Sequence, residues 1–352
     1  MTENDSRTID VRDNHRFDEE RLTRYLSAEV EGFSGPAEVR QFAGGQSNPT
    51  FLLTTPERKY VLRKKPPGKL LPSAHAVERE YRVMKALEPS EVPVPRCRIL
   101  CEDPEIIGTP FYVMDHIEGR IFEDPAVPDV TPEFRTALYE DVAKTMARLH
   151  TVNLAEVGLA DFGRPENYVQ RQISRWTKQY EASKTDEIPE MDRLIAWLND
   201  HPDVPDEVGI AHGDFRLGNL MVHPEEPRVV AVLDWELSTL GHPLSDLAYC
   251  TMAWWLPNAS PQLRGFVGVD IAELGIPSHE GFVEAYAKHS GRAPVTPEQQ
   301  RFFMAFSFFR LAAIAQGVYR RGLDGNASDA KASLYGAAAR ALAGLGWQIA
   351  QG

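Results

Sequence analysis

The sequence is short of several things, and each shortage removes a class of function. Cysteine is scarce: Cys97, Cys101 and Cys250 are the only three. Three is odd, the first two are four apart, and no histidine pair stands nearby. That pattern makes neither a disulfide framework nor a zinc site, so the three read as reduced, mostly buried thiols of a cytoplasmic protein. Neither G-x-x-x-x-G-K-[ST] nor G-x-G-x-x-G occurs, which leaves P-loop and dinucleotide-fold enzymes without support. Positive charge is in deficit. With 38 Lys and Arg against 51 Asp and Glu the net charge is −13, which argues against nucleic acid or an anionic membrane surface as the main partner. Long unbroken apolar runs are missing too. The most apolar stretch, Phe302 to Tyr319, is interrupted by Arg310 and Gln316 and reads as a buried core helix, not a membrane span. The first ten residues, M-T-E-N-D-S-R-T-I-D, lack an apolar h-region, so no secretory signal is expected.

What is present is centred on residues 210–236. Asp214, Asn219 five residues later and Asp234 twenty residues later are set among two short apolar runs, Leu220-Met221-Val222 and Val229 to Leu233. Pro224 and Pro227 break the chain between the runs, so a hairpin is the economical reading. The hairpin returns Asp234 to Asn219, placing a carboxylate beside a carboxamide. Hard oxygen donors of this kind suit Mg²⁺, which keeps several waters and binds through one or two carboxylates plus substrate phosphates. Asp214 is then left to accept a proton from an attacking hydroxyl.

The motif His212-Gly213-Asp214-x-x-x-x-Asn219, followed by Asp234-Trp235-Glu236, resembles the active-site sequence of the aminoglycoside phosphotransferase and choline kinase group of small-molecule kinases. The blocks H-G-D-F-R-L-G-N-L and V-L-D-W-E-L-S-T-L-G-H-P-L-S-D-L-A-Y resemble most nearly the phosphotransferase enzymes associated with acyl-CoA dehydrogenases. The resemblance implies an α+β, bilobal protein-kinase-like fold. A small antiparallel-sheet lobe, residues 1–115, would bind nucleotide; a larger, mostly helical lobe, residues 116–352, would carry catalysis and substrate. The length of 352 residues suits two such units, each large enough for a core.

The same resemblance assigns further residues. The strand–turn–strand over 39–53 contains Gly44, Gly45, Ser47 and Asn48, which become a phosphate-covering loop. Along the strand Lys59 to Lys65 side chains alternate, so Val61 is the apolar roof of the nucleotide and Arg63, two residues on, takes the place usually held by a lysine; Lys64 is the fallback. A helix over 73–87 offers Glu80, or alternatively Glu78, to pair with Arg63. Met114, Asp115, His116 and Ile117 form the hinge that meets adenine. Asn219 and Asp234 hold Mg²⁺, Asp214 is the base, and His212 orients its loop. Glu236 is left between ordering Mg²⁺ waters and a structural role. Asp246 is expected to tie down the catalytic loop, and His150 to be a packed core histidine. The residues from 132 onward read as helices over 132–153, 165–182, 187–200, 276–290, 296–321 and 328–350.

The implied activity is transfer of phosphate from ATP, with Mg²⁺, to a small-molecule hydroxyl. The acceptor is a hydroxyacyl-CoA or related hydroxy acid, with a functional link to an acyl-CoA dehydrogenase; an aminoglycoside or choline-like amine is the alternative. A CoA thioester needs cations, for which Arg171, Arg175, Lys178, Arg310, Arg320 and Arg321 are available. A nucleotide-binding pseudokinase is the rival of another class, kept alive by arginine at position 63. A two-metal hydrolase lacks the second His and carboxylate cluster it needs.

Overall fold

In a computed structural model, residues 8–43, 48–66, 75–201, 205–258, 264–324 and 334–352 are described. The chain divides by its contacts into two compact units. The first comprises Met1–Glu123, Asn153–Ala160 and Leu217–Ser238, the second Asp124–Val152, Asp161–Arg216 and Thr239–Gly352.

The first unit opens with β1 (Thr8–Ile9), α1 (Glu19–Glu29), β2 (Glu38–Phe42), β3 (Thr50–Thr54), β4 (Lys59–Lys64), α2 (Val77–Leu87), β5 (Cys97–Cys101), α3 (Pro104–Ile107) and β6 (Phe111–Asp115). Its six strands form one sheet in the order β1-β2-β3-β4-β6-β5, with every neighbouring pair antiparallel. Alternation along the strands divides the work of the two faces. Phe51, Leu53, Tyr60, Leu62, Phe111 and Val113 point to one side and bury against Leu22 and Leu26 of α1. Arg63 and Val61 point to the other, opposite Tyr112 and Met114 in register. Close to the N-terminus, Thr8 and Ile9 add an edge strand by pairing with Phe42 and Gln41. Asp18 caps α1 by accepting from the Arg21 N–H at 2.8 Å, which starts that helix where the acidic cluster begins.

The chain then runs through the second unit as α4 (Pro132–His150), α5 (Tyr168–Ser183), α6 (Pro189–Asp200) and β7 (Gly209–Ala211). It returns to the first unit for the hairpin β8 (Leu220–Val222) and β9 (Val229–Val232). It ends in the second unit with β10 (Thr239–Gly241), α7 (Pro243–Thr251), α8 (His279–Ser290), α9 (Pro297–Leu323) and α10 (Leu334–Gln351). The sequence suggested a single division between residues 115 and 116. The hairpin instead belongs with the first unit, because its backbone is bonded there. Val222 exchanges two hydrogen bonds with Arg120, and the Val232 N–H donates to the Pro93 carbonyl. Gly119 runs so close that a Cβ there would stand 2.6 Å from the Val222 carbonyl oxygen, which requires glycine.

Proline sits in the first turn of α4, α6, α7 and α9, where its missing N–H costs nothing and its fixed φ starts the helix. Thr296 and Gln299 add a capping box to α9. This helix is long and apolar enough to cross a membrane, but 72% of its most apolar window is buried inside the protein. It packs against α5, α6, α7 and α10, which explains apolar residues all round it.

Candidate active site

In the first unit the functional side chains grow from strand parity. Arg63 stands on the face of β4 opposite the core under α1. Its Nε lies 3.1 Å from Glu80 Oε2, and its Nη2 lies 2.8 Å from Asp234 Oδ1 and 3.4 Å from Glu236 Oε2. Of the two helix glutamates, Glu80 therefore meets Arg63, while Glu78 is turned to Lys65 at 2.9 Å. Two residues along a helix are a rotation of about 200°, enough to separate the two partners completely. Glu80 also accepts from the Tyr112 hydroxyl at 3.0 Å and the Asn48 amide at 2.7 Å. Burial pushes its carboxyl up to about 7 against the opposing pull of Arg63. Against its own burial, Arg63 is held above the usual guanidinium range by Glu80, Tyr112, Asp234 and Glu236. Lys64 lies on the other face of the strand. Its ammonium sits over the Phe17 and Phe51 rings at 5.5 and 5.9 Å, so it is no substitute for Arg63.

The hairpin brings Asn219 and Asp234 together, since the Leu233 N–H donates to the Asn219 carbonyl at 2.9 Å. Asp234 has φ 63° and ψ 62°, a left-handed conformation that few side chains adopt and that commonly marks functional positions. Trp235 is buried behind it and anchors the turn by donating Nε1–H to the Val232 carbonyl at 2.9 Å. Among the described residues there is no cluster of three or more His, Cys, Asp or Glu suited to a metal. A carboxamide and a carboxylate, the latter 37% exposed, instead form the sparse oxygen set that fits Mg²⁺ completed by phosphates and waters.

Two nucleotide-side expectations change. Gly44, Gly45 and Ser47 lie outside the described residues. Asn48 was assigned to the phosphate-covering loop as a ligand donor, but its side chain is buried and committed, bonding Glu80 through Nδ2 and His75 through Oδ1 at 3.1 Å. In the hinge, Met114 shares the Val61 face and both are buried. Asp115 and His116 spend their N–H groups on the Arg96 and Lys59 carbonyls, at 2.9 and 3.3 Å. The Asp115 carboxylate is gripped by Arg98 at 2.6 and 2.7 Å. These two residues therefore cannot offer backbone donors to adenine, whereas Ile117 lies just past the committed pair.

The second unit holds Asp214 by fixing the backbone around it. Asp246, in the first turn of α7 and 1% exposed, accepts from the N–H groups of His212 and Gly213 at 2.6 and 2.9 Å. Gly213 has φ +84°, open to glycine without strain. The Asp214 N–H donates to His212 Nδ1 at 3.2 Å, the orienting role expected of that histidine. Behind Asp246, His150 is a core residue whose Nε2 lies 3.3 Å from the carboxylate and whose Nδ1 lies 2.8 Å from the Tyr286 hydroxyl. Burial holds His150 below the ordinary histidine value, against the pull of Asp246. Despite its burial, Asp246 is held below the usual carboxylate range by His150, His212 and the Gly213 N–H.

Three residues of this half escaped the sequence reading. Arg216 places Nε 3.7 Å from Asp214 Oδ2 and is 44% exposed. Arg310, considered above only as a free cation, donates to the Gly213 carbonyl at 2.6 Å and stacks over Trp176 and Tyr249. Burial, with the Asp214 charge adding to it, pushes the Tyr249 phenol well above its ordinary value. Only Tyr249 left a signal: it follows Asp246 by three residues, one turn along the same helix face.

The chain is similar to known proteins along most of its length. The model of the phosphotransferase enzyme family matches residues 38–282. Acyl-CoA dehydrogenase family member 10 of Mus musculus is 47% identical over 344 residues, covering 97% of this chain but 32% of that protein, so the chain spans about a third of that relative's length. A solved structure of a provisionally assigned aminoglycoside phosphotransferase from Ralstonia eutropha JMP134 is 48% identical, with a TM-score of 0.86 over 96% of this chain and 99% of that one. At 16% identity the fold alone is shared with aminoglycoside phosphotransferase APH(4)-Ia, solved as a thermostable mutant in ternary complex with ADP and hygromycin B, with a TM-score of 0.62 over 95% of this chain and 99% of that one. Over residues 38–282, which include Asp214, Asn219 and Asp234, the chain belongs to the phosphotransferase enzyme family, with an α+β, kinase-like fold.

Proposed function

We propose that the chain transfers the γ-phosphoryl group of ATP to a hydroxyl of a hydroxyacyl-CoA or related hydroxy acid. The observation that carries the reading is the Arg63 network, in which a strand cation, a helix glutamate and the hairpin aspartate meet within 3.1 Å. Arg63 neutralises nucleotide phosphates and Glu80 fixes its guanidinium. Asn219 and Asp234 are the residues that would hold Mg²⁺, which when bound supplies charge neutralisation of the phosphates. Asp214 accepts the acceptor's hydroxyl proton as its oxygen bonds to the γ-phosphorus, the bond from that phosphorus to the β–γ bridging oxygen breaks, and ADP leaves. Catalysis of this kind is mostly positioning and electrostatics. Support for an acidic acceptor comes from Arg216 and Arg310 beside the Asp214 loop, where a cationic amine would be repelled. The likeness to acyl-CoA dehydrogenase family member 10 supports an acyl-CoA in particular.

The test is a coupled ADP-release assay with Mg-ATP, offering 3- and 4-hydroxyacyl-CoAs beside kanamycin-type aminoglycosides and choline. Hydroxyacyl-CoA turnover should fall by about a thousandfold in Asp214→Ala, within the range a general base contributes. Turnover with the amines alone would overturn the acceptor assignment. Undiminished turnover in the variant would overturn the role of Asp214.

A further inference from the structure

Asp246 holds the loop of Asp214 at two peptide units, those ending in the His212 and Gly213 N–H groups. The next unit, between Gly213 and Asp214, lies outside that grip, and it is the one that aims the base. Gly213 has φ +84°, where a residue without Cβ is unstrained, so this unit can turn over at little cost unless something holds it. Its N–H donates to a local acceptor, His212 Nδ1, at 3.2 Å. Its carbonyl accepts from Arg310 Nη2, on α9, at 2.6 Å. Among the described residues no carboxylate pairs with Arg310, although the chain has 51 Asp and Glu. The guanidinium carbon instead stands over two rings, 5.4 Å from the centroid of Trp176 on α5 and 5.2 Å from that of Tyr249 on α7. Rings orient a planar guanidinium without occupying its donors, whereas a carboxylate would compete with the carbonyl for them.

Resting on the reading of Asp214 as the base, we propose that Arg310 is a positioning residue of the catalytic loop: it locks the Gly213–Asp214 peptide unit, with Trp176 and Tyr249 orienting its guanidinium. The two grips are complementary. Asp246 takes N–H groups from one side of Gly213, and Arg310 takes the carbonyl on the other. A turn of the freed unit would change the backbone angles on both sides of the Gly213–Asp214 bond and swing the carboxylate away from the acceptor, while the Asp246 contacts stayed intact. The rival role for Arg310 is direct binding of the acceptor, and the two roles separate in kinetics.

Gly213-Asp214 is the only Gly-Asp step in the chain. The full chain labelled with ¹³C′-glycine and ¹⁵N-aspartate therefore gives a single carbonyl-correlated amide peak, which reads this peptide unit and needs no acceptor. In Arg310→Met the Gly213 ¹³C′ frequency should move upfield, because a charge-assisted hydrogen bond to that carbonyl has been removed. Arg310→Lys is the second variant should Arg310→Met fail to fold. Its ammonium has no planar fork to lie over two rings, so the peak should move there as well. In the coupled ADP-release assay with Mg-ATP and a hydroxyacyl-CoA, kcat should fall by about a hundredfold, the loss that a 1 Å misplacement brings, with KM for the acceptor changed by less than about twofold. A peak at its wild-type position in the variants overturns the proposal. So does a raised acceptor KM with kcat unchanged, which would make Arg310 an acceptor-binding residue. No hydroxyacyl-CoA turnover in the wild type would instead overturn the acceptor reading, and turnover retained in Asp214→Ala the base reading; the peak then judges the Arg310 lock alone.

Discussion

In the first unit the charged residues of the site bind one another. Arg63 holds Glu80, Asp234 and Glu236, and Glu80 in turn collects Tyr112 and Asn48. In the second unit Asp246 and Arg310 bind backbone as well: Asp246 takes two N–H groups and Arg310 takes a carbonyl. The difference fits what the proposed function asks of each region. A cation meant for phosphates has to be oriented without being neutralised for good, so it is shared among several carboxylates that an incoming anion can displace. A base on a loop needs the loop itself immobilised, and a buried carboxylate accepting N–H groups does that without touching the reactive side chain.

Removing the clamp should do the most damage. Asp246→Ala strips partners from two buried N–H groups and from His150, and should cost about 4 kcal/mol in urea unfolding together with nearly all activity. A loss below about 1 kcal/mol would mean that Arg310 alone suffices to hold the loop. The sign of the pH dependence follows from the depressed Asp246 carboxyl. Its stabilisation is present above the ordinary value of 3.8 and is lost as pH falls through the lower folded value, so the acid limb should be shallower in the variant.

The first unit should break differently, because its parts repel once separated. Arg63→Met leaves Glu80, Asp234 and Glu236 facing each other and should cost about 3 kcal/mol, with a large rise in KM for ATP. Adding Glu80→Gln should recover part of that loss, and a double-mutant cycle measures how much. Simple additivity would show that the network is a set of independent contacts. The smallest effect sharpens the contrast. The Lys65–Glu78 pair is more exposed, so Glu78→Gln should change stability by less than about 0.5 kcal/mol and leave KM for ATP unchanged.

Much of this site was legible because it depends on local rules. The parity of K-Y-V-L-R-K put Val61 and Arg63 on one face. Pro224 and Pro227 located the hairpin that joins Asn219 to Asp234. The helix ranges 132–153, 165–182, 187–200, 276–290 and 296–321 begin and end within three residues of α4, α5, α6, α8 and α9. The choice between Glu78 and Glu80 was not legible, since it depends on how α2 is rotated against the sheet. The fate of Asn48 was hidden for a similar reason. Beside a Gly-Gly turn it looks like a ligand donor, and only the arrival of Glu80 and His75 turns it inward.

By itself, then, the sequence determined the chemistry on offer: a base, an amide and a carboxylate at fixed spacing, a cation on one strand face, and helices that begin where proline permits. These are consequences of covalent spacing and side-chain periodicity, which no packing can change. Tertiary structure alone decided which groups those residues finally meet. It gave Glu80 to Arg63 and Glu78 to Lys65, attached the hairpin to the first unit through Arg120 and Pro93, and brought Arg310 of α9 against Tyr249 of α7 and the Gly213 carbonyl. Such contacts join residues tens to well over a hundred positions apart, and their energies exist only once two buried surfaces have chosen their rotation and register.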